Sequence, residues 1–246
     1  MKKTLLTICL VWMCFSLSAQ KIIDLSGKWS FSIDRQDNGE KEKWFSHTLN
    51  DFINLPGSMP EKLKGDEVTA KTQWTGSLYD SSYYYNPYME KYRKEGNIKF
   101  PFFLTPDKHY VGAAWYQKEV NIPADWKGER ILLFLERPHI ETTVWVNGQK
   151  TGMQNSLCVP HQYDITRYVR PGKCTITIRV DNRIKEINVG PDSHSITGQT
   201  QGNWNGIVGR ICLQTTPKTY FDDIQIYPEP EQKLARVKVV IKGAGI

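Results

Sequence analysis

Residues 200–210 read Thr-Gln-Gly-Asn-Trp-Asn-Gly-Ile-Val-Gly-Arg, an indole set among carboxamides just before an apolar pair. These side chains suit a sugar. A carboxamide both donates and accepts, so Gln201, Asn203 and Asn205 could satisfy vicinal hydroxyls, with Thr200 beside them. Trp204 could stack on the apolar face of a pyranose at low entropic cost. A structural role competes: Trp204 plugs the end of a β-sandwich and the asparagines supply turns. The residues alone weigh toward the plug for Trp204. They weigh toward ligand contact for Gln201 and Asn203, which no core needs.

Other candidate chemistry is thinner. His194 lies between Ser193 and Ser195, but no Gly-x-Ser-x-Gly turn accompanies it to build a nucleophile elbow. It sits in a long loop leading to Thr200 and could line the same rim. Glycoside hydrolysis needs two facing carboxyl groups, about 5–5.5 Å apart for retention and about 6.5–9.5 Å for inversion. Asp80, Glu90, Asp107 and Asp192 are loop acids that no motif pairs, so solvated turns are their expectation. No catalytic residue is expected among them.

Composition removes further classes. Lys2 and Lys3 precede the apolar run Leu5 to Phe15 and a small residue, Ala19. That is the layout of a cleaved signal peptide over residues 1–19, too short to span a bilayer. The mature chain is expected to be exported, periplasmic or extracellular, without membrane insertion. Losing the two lysines lowers the formal charge of +6 by two. The remaining basic residues are scattered, with no nucleic-acid-binding motif, so no nucleic-acid partner is expected. Cys158, Cys174 and Cys212 remain; an oxidising compartment allows one disulfide, but spacing assigns none. There is no C-x-x-C and no histidine pair at ligand spacing, so neither a metal nor a cofactor is expected, and the cysteines read as small buried hydrophobes.

The elements that must hold the loop are strands. Short alternating runs bounded by Gly, Pro, Asn and Asp dominate, the pattern of a sandwich or barrel. Trp29, Phe31 and Ile33 share one face of the first run. Ala114 to Val120, Arg130 to Glu136 and Cys174 to Val180 follow, and Ile207 to Thr215 and Phe221 to Tyr227 close the series. Thr142 to Val146 meets Asn147-Gly148, a strong two-residue hairpin signal. Trp29, Trp115 and Trp145 are assigned to the core, and Asp181-Asn182 to a turn that caps backbone amides. Between about 61 and 110 the alternation lapses. A stretch this long and aromatic reads as an ordered insertion draped on the sandwich, with Tyr83 to Tyr88 packing it down. Pro228 to Glu231 reads as a linker before one last strand, Ala235 to Ile241.

Several of these stretches together resemble one family. They are Asp24-Leu25-Ser26-Gly27-Lys28-Trp29, Ala114-Trp115-Tyr116-Gln117-Lys118, and Pro123 with Trp126. They continue with Thr143-Val144-Trp145-Val146-Asn147-Gly148, with Gly152, and with Tyr163-Asp164-Ile165-Thr166. Ile178-Arg179-Val180-Asp181-Asn182 and Asn203-Trp204-Asn205-Gly206-Ile207 complete the set. In order and spacing over about 24–226 they resemble the N-terminal sugar-binding domain of glycoside hydrolase family 2, the β-galactosidase, β-glucuronidase and β-mannosidase group.

The resemblance implies an all-β jelly-roll sandwich, galactose-binding-domain-like, over 20–227. It implies that 228–246 is a linker and the first strand of an immunoglobulin-like domain, and that the catalytic glutamates sit in a later barrel that nothing in this chain matches. On this reading the chain is the carbohydrate-binding, active-site-completing domain of an exported β-glycosidase, inactive alone. Its partners are a terminal β-linked sugar and the other domains of the same enzyme. In relatives the loop before the Gly-Ile strand touches the sugar, here Thr200 to Asn205. Several relatives carry an aspartate there, where this chain has Thr200 or Gln201. The alternatives are a stand-alone lectin-like module and a cell-surface interaction protein.

Overall fold

A computed structural model of the chain describes residues 20–74, 81–99, 106–157, 159–185, 193 and 202–243. The segment read as a signal peptide, Cys158, His194, Thr200 and Gln201 lie outside the described residues, as do Asp80 and Asp192.

Among the described residues two antiparallel sheets face each other, as the alternating runs require. One holds β1 (Ile22–Asp24), β4 (Gly57–Ser58), β8 (Arg130–Pro138), β11 (His161–Asp164) and β13 (Gly206–Thr216). The other holds β2 (Gly27–Asp34), β3 (Asp51–Leu55), β7 (Ala113–Ile122), β9 (Glu141–Val146), β10 (Gln149–Asn155) and β12 (Gly172–Asp181), in the order β10-β9-β12-β7-β2-β3. This is the all-β sandwich expected. Its core fills from inward positions of both sheets, among them Trp29, Phe31, Tyr116, Leu133, Ile178 and Leu213. Asn147 (φ 50°) and Gly148 (φ 76°) take the left-handed conformations that the two-residue turn between β9 and β10 demands.

Trp29, Trp115 and Trp145 are all buried, though not in one core. Trp115 and Trp145 stand on the opposite face of the six-stranded sheet, ring centroids 4.9 Å apart. Leu49, Trp44 and Phe45 cover them. That sheet is therefore roofed on both sides, and the main core takes Tyr116 instead. Cys174 and Cys212 are buried free thiols.

Between 61 and 110 the described residues form short elements. A two-stranded ribbon, β5 (Asp66–Glu67) with β6 (Lys108–His109), brackets a single helical turn, α1 (Ser82–Tyr85), and a 3-10 stretch from Pro87 to Arg93. Of the tyrosine cluster Tyr83 is the buried member, its ring edge-on to Tyr84. It is fully buried, whereas Tyr85 and Tyr88 are exposed.

One boundary is corrected. Phe221 to Tyr227 does not belong to the sandwich, and Pro228 to Glu231 is not a linker. They lie in β14 (Tyr220–Glu229) and the turn after it, and among the described residues β14 pairs only with β15 (Leu234–Lys242), in a separate hairpin. The Pro230–Gln232 turn closes through Lys233 at φ 55°. Alternation is the same in either sheet, so it could not tell the two homes apart.

Candidate functional site

Four strand ends meet at one edge of the sandwich. Asp181, the last residue of β12, faces Ala113, the first of β7. Pro138 at the end of β8 faces Ile207 near the start of β13. The segment Gly202–Asn205 enters β13 across this junction. Gly206 has φ 146°, and a Cβ there would meet the Gly57 carbonyl oxygen at 2.5 Å. Only glycine admits that close approach of two backbones.

The asparagines point inward. Asn205 is fully buried; its Nδ2 donates to Gly112 O and Val180 O, both at 2.9 Å, and its Oδ1 accepts from the Tyr116 hydroxyl at 2.7 Å. Asn203 donates to Asn182 O at 2.8 Å and accepts from Asn182 Nδ2 at 3.0 Å. Asn182 also donates to Tyr110 O and accepts from Gly112 N, each at 2.8 Å. The expectation that Asn203 and Asn205 hold their carboxamides out to hydroxyls is therefore corrected. Their nitrogens are spent on buried carbonyls and their oxygens on the Tyr116 and Asn182 side chains, where an orphaned polar atom costs about 1–3 kcal/mol. The rim candidates His194, Thr200 and Gln201 fall outside the described residues.

Trp204 alternates outward between its two neighbours and is half-buried. Its indole stacks on His139, ring centroids 4.5 Å apart and planes 21° apart. The residues alone gave no hint of His139. Its Nδ1 lies 2.8 Å from Trp204 O. A carbonyl only accepts, so Nδ1 carries the proton and donates it, and the neutral ring keeps its lone pair on Nε2. The loop is thus held by carboxamides from behind and by an imidazole under its indole.

Burial holds His139 down to about 4, against the opposing effect of its bond to Trp204. In the unfolded chain the ring takes a proton near the ordinary 6.5. Between those values the unfolded state binds more protons, so stability is full above 6.5 and falls as the pH drops toward 4. His139→Asn keeps an N–H near the Nδ1 position and cannot be protonated. Between pH 7 and pH 5 the stability gap in urea denaturation should shift in favour of the variant by about 2 kcal/mol. A gap that stays constant with pH would refute this account.

Behind the junction lies an ion cluster. Asp181 contacts Arg179 at 3.0 Å, Arg183 at 2.5 Å and Lys185 at 2.9 Å. Its carboxylate also caps the Arg183 amide at 3.0 Å, and Asn182 caps that of Gly112, as the turn reading expected. Asp37 and Glu141 complete the cluster through the same three cations. Among the loop acids, Glu90 pairs with Lys94 on the surface and Asp107 is exposed. Among the described residues no group of three or more His, Cys, Asp or Glu could hold a metal, and no helix is long and apolar enough to cross a membrane.

Comparison with known proteins adds a frame. The profile described as "Glycosyl hydrolases family 2, sugar binding domain" matches residues 22–217. Human β-glucuronidase is 24% identical over 253 aligned positions, covering 91% of this chain and 33% of the relative. The β-glucuronidase of Paenibacillus borealis is 27% identical over 164 positions, covering 66% and 21%. Among solved structures, the Ruminococcus gnavus β-glucuronidase in complex with uronic isofagomine superposes with a TM-score of 0.63 at 17% identity, covering 92% of this chain and 34% of that one. The β-glucuronidase of an uncultured Clostridium sp. gives 0.60 at 19% identity, covering 93% and 35%. The chain spans about a third of the length of the human relative and of these two structures.

Proposed function

The chain belongs to glycosyl hydrolase family 2 as a sugar-binding domain, and on that premise we propose that it is the carbohydrate-contacting N-terminal part of an exported β-glycosidase. The observation that carries this reading is the family match across both sheets, ending just past the strand that Trp204 introduces. Trp204 is the group through which the domain touches the glycone, held at a fixed height by His139 and Asn205. The contact is stacking, because the neighbouring carboxamides are already engaged. Since the relatives compared above are β-glucuronidases, a β-glucuronide is the first substrate to try. The two carboxylates of a retaining hydrolysis come from polypeptide beyond the sandwich.

The hairpin of β14 and β15 supports that arrangement. Phe221, Ile226, Tyr227, Leu234 and Val237 are each close to half exposed or more. A two-stranded ribbon with that much apolar surface in water is marginal by itself and marks a contact with further chain. The sandwich is then one half of an interface, and its part in catalysis is to complete a pocket.

In the full-length protein, Trp204→Ala should lower kcat/KM on 4-nitrophenyl β-glucuronide about tenfold, the loss of one aromatic stacking contact. Melting of the sandwich should change little, since Trp204 is only half-buried. An unchanged kcat/KM would remove Trp204 from the site. No turnover of the nitrophenyl β-glucuronide, β-galactoside or β-mannoside by the wild type would overturn the glycosidase reading itself.

A further inference from the structure

Beside the junction, a hollow of about 720 Å³ opens between the insertion and the sandwich, lined among others by Arg35, Trp74, His109, Tyr110 and Val111. A second, of about 600 Å³, adjoins it over the six-stranded sheet. Arg183 and Ile184 line both, so the two hollows adjoin at these residues and are taken together as one groove. It starts close to the loop: Tyr110 O accepts from Asn182, which also bonds Asn203.

We propose that this groove is a subsite for the neutral part of a glycan chain, taking the sugars that follow the terminal one. This rests on the glycosidase reading and adds a second place where the domain touches substrate.

Three features specify the ligand. The first is charge. Among the described residues, cationic and carboxylate side chains line the groove in equal number, five of each, which gives no field to select a polyanion. The second is the arrangement of those charges in close pairs. Arg35 meets Asp66 at 2.6 Å, Arg183 meets Asp37 at 2.6 Å, and Lys150 meets Glu40 at 2.8 Å. Each pair sets donors beside acceptors, and a vicinal diol, whose hydroxyls both donate and accept, matches that pattern. The third is Trp74, a half-buried indole whose ring meets Tyr83 edge-on at 6.3 Å. It gives the groove an aromatic surface for an apolar sugar face, which the ion pairs alone lack.

The test compares two substrates in the full-length protein. One is 4-nitrophenyl β-glucuronide, which ends at the aglycone. The other is a trisaccharide of β-glucuronate linked to two neutral galactoses. Trp74→Ala should raise KM for the trisaccharide about tenfold and leave both parameters for the nitrophenyl substrate unchanged. Val111→Trp fills the hollow from an exposed position and leaves the Trp74 and Tyr83 side chains in the protein, and should do the same. It keeps the test decisive if Trp74→Ala loosens the insertion. No change with Val111→Trp, or an equal change on both substrates, would overturn the subsite. If the wild type hydrolyses neither substrate, the glycosidase reading falls and titration calorimetry judges the groove. Heat on adding the trisaccharide to wild type but not to Val111→Trp keeps the proposal, and silence in both sinks it.

Discussion

Replacing Asn205 with aspartate should cost about 3–5 kcal/mol of stability at pH 7, the range for an uncompensated buried charge. The two side chains have nearly the same shape, so packing is not the cause. Nδ2 faces two carbonyl oxygens, Gly112 O and Val180 O, each at 2.9 Å. A carboxylate oxygen in its place removes both donors and sets three acceptors against one another. The site is fully buried, so water cannot relieve them. On the other side the Tyr116 hydroxyl donates at 2.7 Å and would still pair. That phenol cannot compensate further, since burial pushes its own ionisation well above the ordinary 10.0.

The pH dependence is the signature. The new carboxyl can lower its cost only by taking a proton and donating to one carbonyl, so its folded-state pKa is raised. The deficit against wild type should then shrink as the pH falls below about 6, because the folded variant holds a proton that the unfolded one releases. Urea denaturation of both proteins from pH 4.5 to 7.5 measures this. A deficit under 1 kcal/mol at pH 7, or one that does not shrink on acidification, would show that Asn205 is not the latch of the Trp204 loop.

How much of this was legible follows from the range of each interaction. The β9–β10 hairpin and the alternating strands are local statements, and the residues made them. So was the assignment of three tryptophans to buried positions. That Trp115 and Tyr116 bury on opposite faces was also written in their adjacency, but the roof over Trp115 comes from residues 44–49, which no period ties to it. The asparagines failed for a different reason. Carboxamides in a Gly-rich stretch look solvated, and their partners lie far off: Tyr116 is 89 residues from Asn205, and Gly112 is 70 from Asn182. One local signal did exist. Asn203, Asn205 and Ile207 are spaced by two, and all three are buried while Trp204 faces outward. The period of β13 begins before β13, and reading the asparagines as part of it places them correctly. His139 had no such signal, because its role depends on two strand ends meeting.

The other large effect concerns Asp181. Burial opposes its ionisation, but hydrogen bonds from Arg183 and Lys185, the Arg183 amide and the charge of Arg179 outweigh it and hold the carboxyl well below the usual range. Three cations and three carboxylates share this cluster, so each charge is balanced inside it. Asp181→Asn upsets the balance where it is least exposed. Asp181 is fully buried and Arg179 nearly so, and a guanidinium there without its counter-charge should cost about 3–5 kcal/mol at neutral pH. The carboxylate's contribution is full above its unfolded value near 3.8 and fades as the pH falls below it, where the unfolded chain is protonated first. The wild-type and variant stability curves should therefore lie apart from pH 5 upward and converge below pH 4. Removing a cation together with the anion restores the count, so the double variant Asp181→Asn with Arg183→Gln should lose less than the two single losses summed. Strict additivity would mean that the six charges act as separate surface pairs, and the junction under Trp204 would then need another source of rigidity.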